Sequence, residues 1–389
     1  MKWPNLGIFS PVSLFIMLSL LSSVALVIKD SRAQTSLSFD ELDTKPKLQC
    51  FHTPILPQPN ETITITARAL NGSLAPKIVN EIMINTSNTE PAIIHNNSNF
   101  TSRIGPFANL TTISYGCSAI DNSSSSSVTF TGTKKITVGS SFNGSSAIPV
   151  ILTGDRNSNI SSEVNNNIDI LFIADNKSFS SPRDPGFLND VEKAIQIYYN
   201  QSLFLENQNR TNFWIAQDMG QVGVAADGTC TIMRPTNWDF KYQSFDAAVI
   251  LHRNKQIRDC TLNDSEVSTA SVESASGLGH VFLHEISHRP FGLADEYDYY
   301  GMYDSSSPGR NVYDNKTDCE NETGKECREI LYQGNITYFT SDPKLDDMMV
   351  NNKQFHDLDG ERIGMWFNKC LTPYDDVPSS RPEYCPHQK

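Results

Sequence analysis

The run His284-Glu285-Ile286-Ser287-His288-Arg289-Pro290-Phe291-Gly292-Leu293-Ala294-Asp295-Glu296-Tyr297 constrains this chain more than any other stretch. Residues four apart share one face of a helix, so the imidazoles of His284 and His288 can reach a single metal ion. Glu285, beside the first histidine, brings a carboxylate to where a water on that ion would give up a proton. A helix with two surface histidines and a solvated glutamate is the bland alternative. Against it, the preceding Leu278-Gly279-His280-Val281-Phe282-Leu283 is mostly apolar and predicts a helix that enters a core. Pro290 disfavours helical geometry at Arg289, so the helix is expected to stop there. Gly292 supplies a turn that lets the chain double back, and an acidic pair follows. A catalytic Zn²⁺ needs a third protein ligand, which must come from outside the helix.

Spacing proposes that ligand. Metzincins carry H-E-x-x-H-x-x-G-x-x-H, with three residues from the glycine to the last ligand. Gly292 to Asp295 keeps that spacing, with one extra residue between His288 and the glycine. Asp295 is therefore favoured, and Glu296 is the alternative third ligand. The segment resembles the IgA-peptidase family of zinc metallopeptidases, whose signature reads much like H-E-x-x-H-x-x-x-G-L-A-D-E-Y. The matching residues are His284, Glu285, His288, Gly292, Leu293, Ala294, Asp295, Glu296 and Tyr297. Ile168–Asp175 and Phe245–His252 also look like core strands of that family. The resemblance implies a metzincin-like catalytic domain, a twisted mixed sheet plus an active-site helix. A methionine turn beneath the metal is expected in such a domain, and Met348 or Met349 would supply it. Adjacent methionines are more often simple core filler.

Three features point outside the cell. An uncharged apolar run from about Leu6 to Ile28, followed by Ser31-Arg32-Ala33, reads as a signal peptide. It is also long enough to be a retained membrane anchor. Eight dispersed cysteines lack the paired grammar of a structural zinc site and suggest disulfides. Neighbour logic pairs Cys50 with Cys117, Cys230 with Cys260, Cys319 with Cys327 and Cys370 with Cys385. Glycosylation sequons recur, among them Asn60, Asn71, Asn109, Asn200 and Asn335. The net charge of −13 argues against a nucleic-acid partner.

The expected fold class is α+β, with an immunoglobulin-like β-sandwich ahead of the metzincin-like domain. Residues 1–33 are the leader or anchor and 34–47 a linker. Residues 48–140 form the sandwich, 141–166 a second linker rich in Ser, Asn and Gly, and 167–389 the zinc metallopeptidase domain. Short alternating runs such as Thr62–Ala69 support the sandwich, and Tyr115 stands two residues before Cys117, as in a tyrosine corner. Cys50 precedes the first clear strand, and no tryptophan lies between the two cysteines. Ile168–Ala174 is almost continuously apolar, as a strand buried on both faces should be. A helix near 187–205 presents Phe187, Val191, Ile195 and Tyr198 on one stripe.

These readings predict an extracellular zinc-dependent endopeptidase acting on protein or peptide. His284, His288 and Asp295 would hold Zn²⁺, and Glu285 would be the general base toward a zinc-activated water. Tyr297, Tyr299 and His356 are candidate donors to the oxyanion, each more often structural than catalytic. His280 lies one turn before His284, about 6 Å along the axis, and is badly placed for the same site. His252, at a strand end, is also read as structural. The alternative from another class is a cell-surface binding or adhesion protein with a structural zinc site, for which Glu285 would be superfluous.

Overall fold

The computed structural model describes residues 46–122, 127–141, 145–153, 167–226, 230–261, 267–273, 277–296, 310–332, 336–342, 347–351, 355 and 357–370. The leader, the linker to residue 45, Tyr297, Tyr299, Asn335, His356 and Cys385 lie outside them, and with Cys385 the expected Cys370–Cys385 pair. Among the described residues, no helix is long and apolar enough to cross a membrane.

The N-terminal strands are β1 (Lys47–Thr53), β2 (Ile63–Leu70), β3 (Val79–Thr86), β4 (Ala92–Asn97), β5 (Asn99–Ile104), β6 (Thr112–Asp121), β7 (Ser127–Phe130) and β8 (Lys134–Thr137). They pair antiparallel in two sheets, β1-β2-β5 and β8-β6-β3-β4, with β7 also on β6. Alternate residues point to opposite faces of a strand, so Ile63, Ile65 and Ala67 of one sheet meet Ile82, Ile84 and Ile113 of the other in a dry core. Cys50 lies within β1, not ahead of the first strand, and its disulfide to Cys117 of β6 joins the two sheets. The Tyr115 hydroxyl pairs with His52 Nδ1 at 2.8 Å, a side-chain partner where a tyrosine corner returns to the backbone. Burial holds that imidazole down at about 3, so it is neutral at pH 7.

The stretch expected as a linker at 141–166 contains a strand, β9 (Ala147–Thr153). β9 pairs antiparallel with β8 on one side and with β11 (Thr211–Ala216) on the other, so one sheet runs from the sandwich into the C-terminal half. Pro149 offers no N–H to a ladder, which disfavours a central strand. The register shifts between Phe213 and Trp214, where Pro149 is opposed, and the ladder tolerates it there. The described residues accordingly belong to one compact unit, Lys45–Lys389. A polar seam reinforces the junction. Lys134 Nζ–H donates to the Cys50 carbonyl and to Gln208 Oε1, and lies 4.4 Å from the Tyr199 ring centroid.

Beyond β9, strands β10 (Ile168–Ala174), β11, β14 (Ala247–His252) and β15 (Val267–Ser271) run parallel in the order β15-β14-β10-β11, with a small hairpin β12 (Gln221–Val224) and β13 (Cys230–Met233) between β11 and β14 in the chain. Every residue of β10 is buried. Ile170 and Phe172 face a core shared with α1 (Pro185–Tyr199) and α4 (Leu278–His288). Leu171 and Ile173 face a second core holding Trp238 and Tyr242. The helix expected near 187–205 breaks at Asn200, ahead of a short α2 (Ser202–Glu206). Trp238 belongs to a one-turn α3 (Trp238–Lys241). After α4 come α5 (Lys316–Thr323), the hairpin β16 (Arg328–Tyr332) and β17 (Ile336–Thr340), α6 (Met348–Asn351), and α7 (Asp357–Met365), which ends in a wide turn at Trp366–Cys370. Disulfides Cys230–Cys260 and Cys319–Cys327 tie surface segments of this half.

Candidate metal centre

α4 enters the core beneath the parallel sheet, and its residues from Val281 to His288 are buried. It stops at His288. Arg289, ahead of Pro290, is extended at φ −142° and ψ 129°, as the pyrrolidine ring demands of its predecessor. Gly292 then takes φ +68°, and its N–H donates back to the His288 carbonyl at 3.1 Å. A Cβ there would lie 2.9 Å from Arg362 Nη2, while Arg362 Nε–H donates to the Phe291 carbonyl at 2.7 Å. The position needs glycine both for its backbone and for its space.

This return brings Asp295 to the two histidines. His284 Nε2 lies 3.0 Å and His288 Nε2 3.5 Å from Asp295 Oδ1. The other ring nitrogens are fixed by backbone. His284 Nδ1–H donates to the Met348 carbonyl and His288 Nδ1–H to the Leu293 carbonyl, each at 2.8 Å. A carbonyl can only accept, so Nδ1 carries a proton in both rings and Nε2 is the atom turned toward Asp295, as N–H when the ring is charged and as a free lone pair when it is neutral. Such anchoring of the far nitrogen is how metal-ligating histidines are oriented. Tetrahedral ligands at about 2.0–2.2 Å from Zn²⁺ stand about 3.3–3.6 Å apart. The two histidine–aspartate separations, 3.0 and 3.5 Å, lie close to that spacing, and all three donor atoms fall within 4.8 Å of one another.

The electrostatics follow from burial. Burial works against charging His284, but the hydrogen bond and charge of Asp295 outweigh it and hold the imidazole up at about 9. His288 is pushed below its ordinary value, chiefly by burial, with Asp295 partly offsetting it. Burial raises Glu285 to about 8, against the pull of His284. Glu285 Oε2 accepts from Thr261 Oγ1 at 2.8 Å, and the same hydroxyl reaches the Glu285 carbonyl at 3.0 Å. The Thr261 hydroxyl orients the carboxyl group, and burial makes it a stronger base than an exposed glutamate once it is ionised.

The alternative third ligand faces elsewhere. Glu296 is fully buried, with Oε1 accepting from Asn311 Nδ2 at 3.0 Å and Oε2 3.3 Å from Arg328 Nη2. Met348 and Met349 are both buried. Met348 offers its carbonyl to His284, and Met349 offers its own to the Glu296 N–H at 3.1 Å. His280 is half-buried and outside the three-residue group, and His252 pairs through Nε2 with Asp259 Oδ1 at 2.8 Å. Thr261, Asn311 and Arg328 escaped the sequence reading. They reach the site only through tertiary contacts, and no spacing in the chain marks them.

No protein-family model matches this chain, and no curated protein matches it. Among solved structures, it is similar to a Paenibacillus sp. cycloisomaltooligosaccharide glucanotransferase complexed with cycloisomaltoheptaose, at 12% identity and a TM-score of 0.18. The match covers 77% of this chain and 34% of that one, so the chain spans about a third of that protein's length. Similarity at this level carries no argument about fold or chemistry.

Proposed function

We propose that this chain is an extracellular zinc-dependent endopeptidase. The observation that carries the reading is the convergence of two backbone-anchored imidazole Nε2 atoms on one oxygen of Asp295, with the buried Glu285 next in sequence to His284. His284, His288 and Asp295 would hold the ion. When bound, Zn²⁺ acidifies a water and polarises the scissile carbonyl. Glu285 accepts the proton of the attacking water and later delivers it to the leaving amine. Thr261 keeps that carboxylate from turning away between the two transfers. Burial of the group keeps bulk water from competing for the same proton.

An extracellular setting is supported by three disulfides and by sequon asparagines Asn60, Asn109 and Asn200 that are exposed. The N-terminal apolar run would serve as signal or anchor. A structural zinc in an adhesion protein needs no general base, and a hydrogen-bonded, buried Glu285 disfavours that reading. The test is hydrolysis of an unstructured protein by the purified, zinc-loaded chain, with and without a chelator. Activity is expected to vanish with chelator and to fall about 10²–10⁴-fold in Glu285→Gln. Hydrolysis that persists undiminished in Glu285→Gln with zinc still bound, or no hydrolysis by the intact chain, defeats the proposal.

A further inference from the structure

Behind the histidine cluster lies a second buried group of a different kind. One carboxylate oxygen from each of Glu296, Asp342 and Asp347 lies within 4.8 Å of the other two. Asp359 of α7, outside that group of three, is buried beside Asp347. Glu296, Asp347 and Asp359 are 0% exposed and Asp342 is 3% exposed. Donors are few on this side. Asn311, Arg328 and the Thr340 hydroxyl serve Glu296, the Met349 N–H serves Asp347 Oδ1 at 2.6 Å, and the Leu358 N–H serves Asp342. Among the described residues, nothing donates to either oxygen of Asp359 or to Oδ2 of Asp342.

Among the described residues, the Arg328 guanidinium pairs with Glu296, and the exposed Lys325 adds its charge near Asp342. Buried carboxylates without donors or counter-charge are strongly unfavourable. Buried carboxyl groups with oxygens this close require either protons or a cation. The donor set is oxygen only, which suits a hard divalent ion. Two ligands on opposite sides of Ca²⁺ stand about 4.6–5.2 Å apart, so oxygens within 4.8 Å can share one ion.

We propose that Glu296, Asp342, Asp347 and Asp359 form a calcium site that braces the histidine cluster. The four residues come from the return after α4, the segments flanking residues 343–346, and α7. An ion among them would tie together Glu296, the neighbour of Asp295, and Asp347, the neighbour of the Met348 whose carbonyl holds His284. The inference stands on this cluster alone and needs no peptidase activity.

The test uses the full chain dialysed into calcium-free buffer at fixed free zinc, read by bound-metal analysis and thermal melting. Either one calcium per chain is retained, or about 5 mM CaCl₂ raises the midpoint by several degrees. Asp359→Asn and Asp342→Asn, which keep shape and remove charge, are expected to lose both signals. His288→Ala should lose zinc yet keep the calcium response, which separates failure of this inference from failure of the zinc reading. A chain that binds no calcium and melts at an unchanged midpoint overturns the proposal. So does a midpoint raised equally by MgCl₂, or an Asp359→Asn protein that responds to calcium like the parent. A calcium-insensitive parent stabilised by Asp359→Asn would mean that the cluster holds protons instead.

Discussion

Asp295 and Glu296 are consecutive, both buried, and both within reach of a candidate metal position, yet they keep opposite company. Asp295 stands between two imidazoles whose Nε2 atoms lie 3.0 and 3.5 Å from one of its oxygens. Glu296 stands near Asp342, Asp347 and Asp359, with the Arg328 guanidinium, the Asn311 amide and the Thr340 hydroxyl as its partners. Their partners lie on different sides of the return: two imidazoles for Asp295, and a carboxyl cluster with Asn311 and Arg328 for Glu296. Asn311 fixes the backbone just ahead of both, accepting from the Ala294 N–H at 3.0 Å and donating to its carbonyl at 2.8 Å. One return of the chain therefore supplies a mixed nitrogen–oxygen site on one side and an oxygen-only site on the other. Residue type alone does not assign a carboxylate to a metal; its neighbours in space do.

The largest effects should come from separating these two neighbours. Asp295→Asn is expected to lower zinc affinity by more than the 10–100-fold that loss of an outer hydrogen-bond partner typically costs, and to abolish hydrolysis. Glu296→Gln should retain zinc while losing the calcium response. Metal analysis of the two proteins side by side checks this, and zinc loss in Glu296→Gln with zinc kept in Asp295→Asn would invert the assignment. Glu285→Gln is the companion. It is expected to keep both metals and lose about 10²–10⁴ in kcat.

A smaller effect belongs to the turn that serves both sides. Gly292→Ala places a Cβ in a left-handed backbone and 2.9 Å from Arg362 Nη2, at a cost of about 1–3 kcal/mol. Unlike the single-ligand variants, it should weaken zinc retention and calcium response together, since Asp295 and Glu296 move as one piece. Denaturant unfolding and metal analysis on the same preparation read both. If either metal is held normally while the other is lost, the two clusters do not depend on a common return.

What was legible in the chain divides along the same line. His284, Glu285 and His288 lie on a single helix, and Asp295 follows through a turn that Pro290 and Gly292 announce, so local rules reach that far. Asp342, Asp347 and Asp359 come from separate segments, and nothing in their spacing to Glu296 distinguishes them from surface acids. Thr261 and Arg328 are hidden for the same reason. In the fold, the apolar run of β10 and the stripe Phe187, Val191, Ile195 and Tyr198 of α1 could be read directly. β9 could not. Its seven residues sit in a Ser- and Asn-rich stretch, and Pro149 argues for an edge at best. Lys134, fully buried beneath the sandwich and lowered by burial to about 7, had no sequence signal at all.

The smallest expected effect tests the comparison from outside both clusters. Asp184 caps α1 and is rich in donors: the Ser180 N–H at 3.0 Å, the Ser180 hydroxyl at 2.8 Å and the Gly186 N–H at 2.8 Å. The backbone and hydroxyl hydrogen bonds from Ser180 hold its carboxyl below the ordinary carboxylate value. A depressed folded value means that its contribution is present above the unfolded pKa of about 3.9 and is lost as pH falls below it. Asp184→Ala should therefore cost about 0.5–2 kcal/mol near neutral pH, and less in strong acid. Because its charge is met by N–H and O–H donors, this carboxylate needs no cation, and the variant's loss should be the same with and without calcium. Melting curves of parent and variant at pH 7 and about pH 3, each with and without CaCl₂, measure it. A calcium-dependent loss at Asp184 would show that calcium acts on this chain's carboxylates in general, and the special standing of the donor-poor Asp359 would go with it.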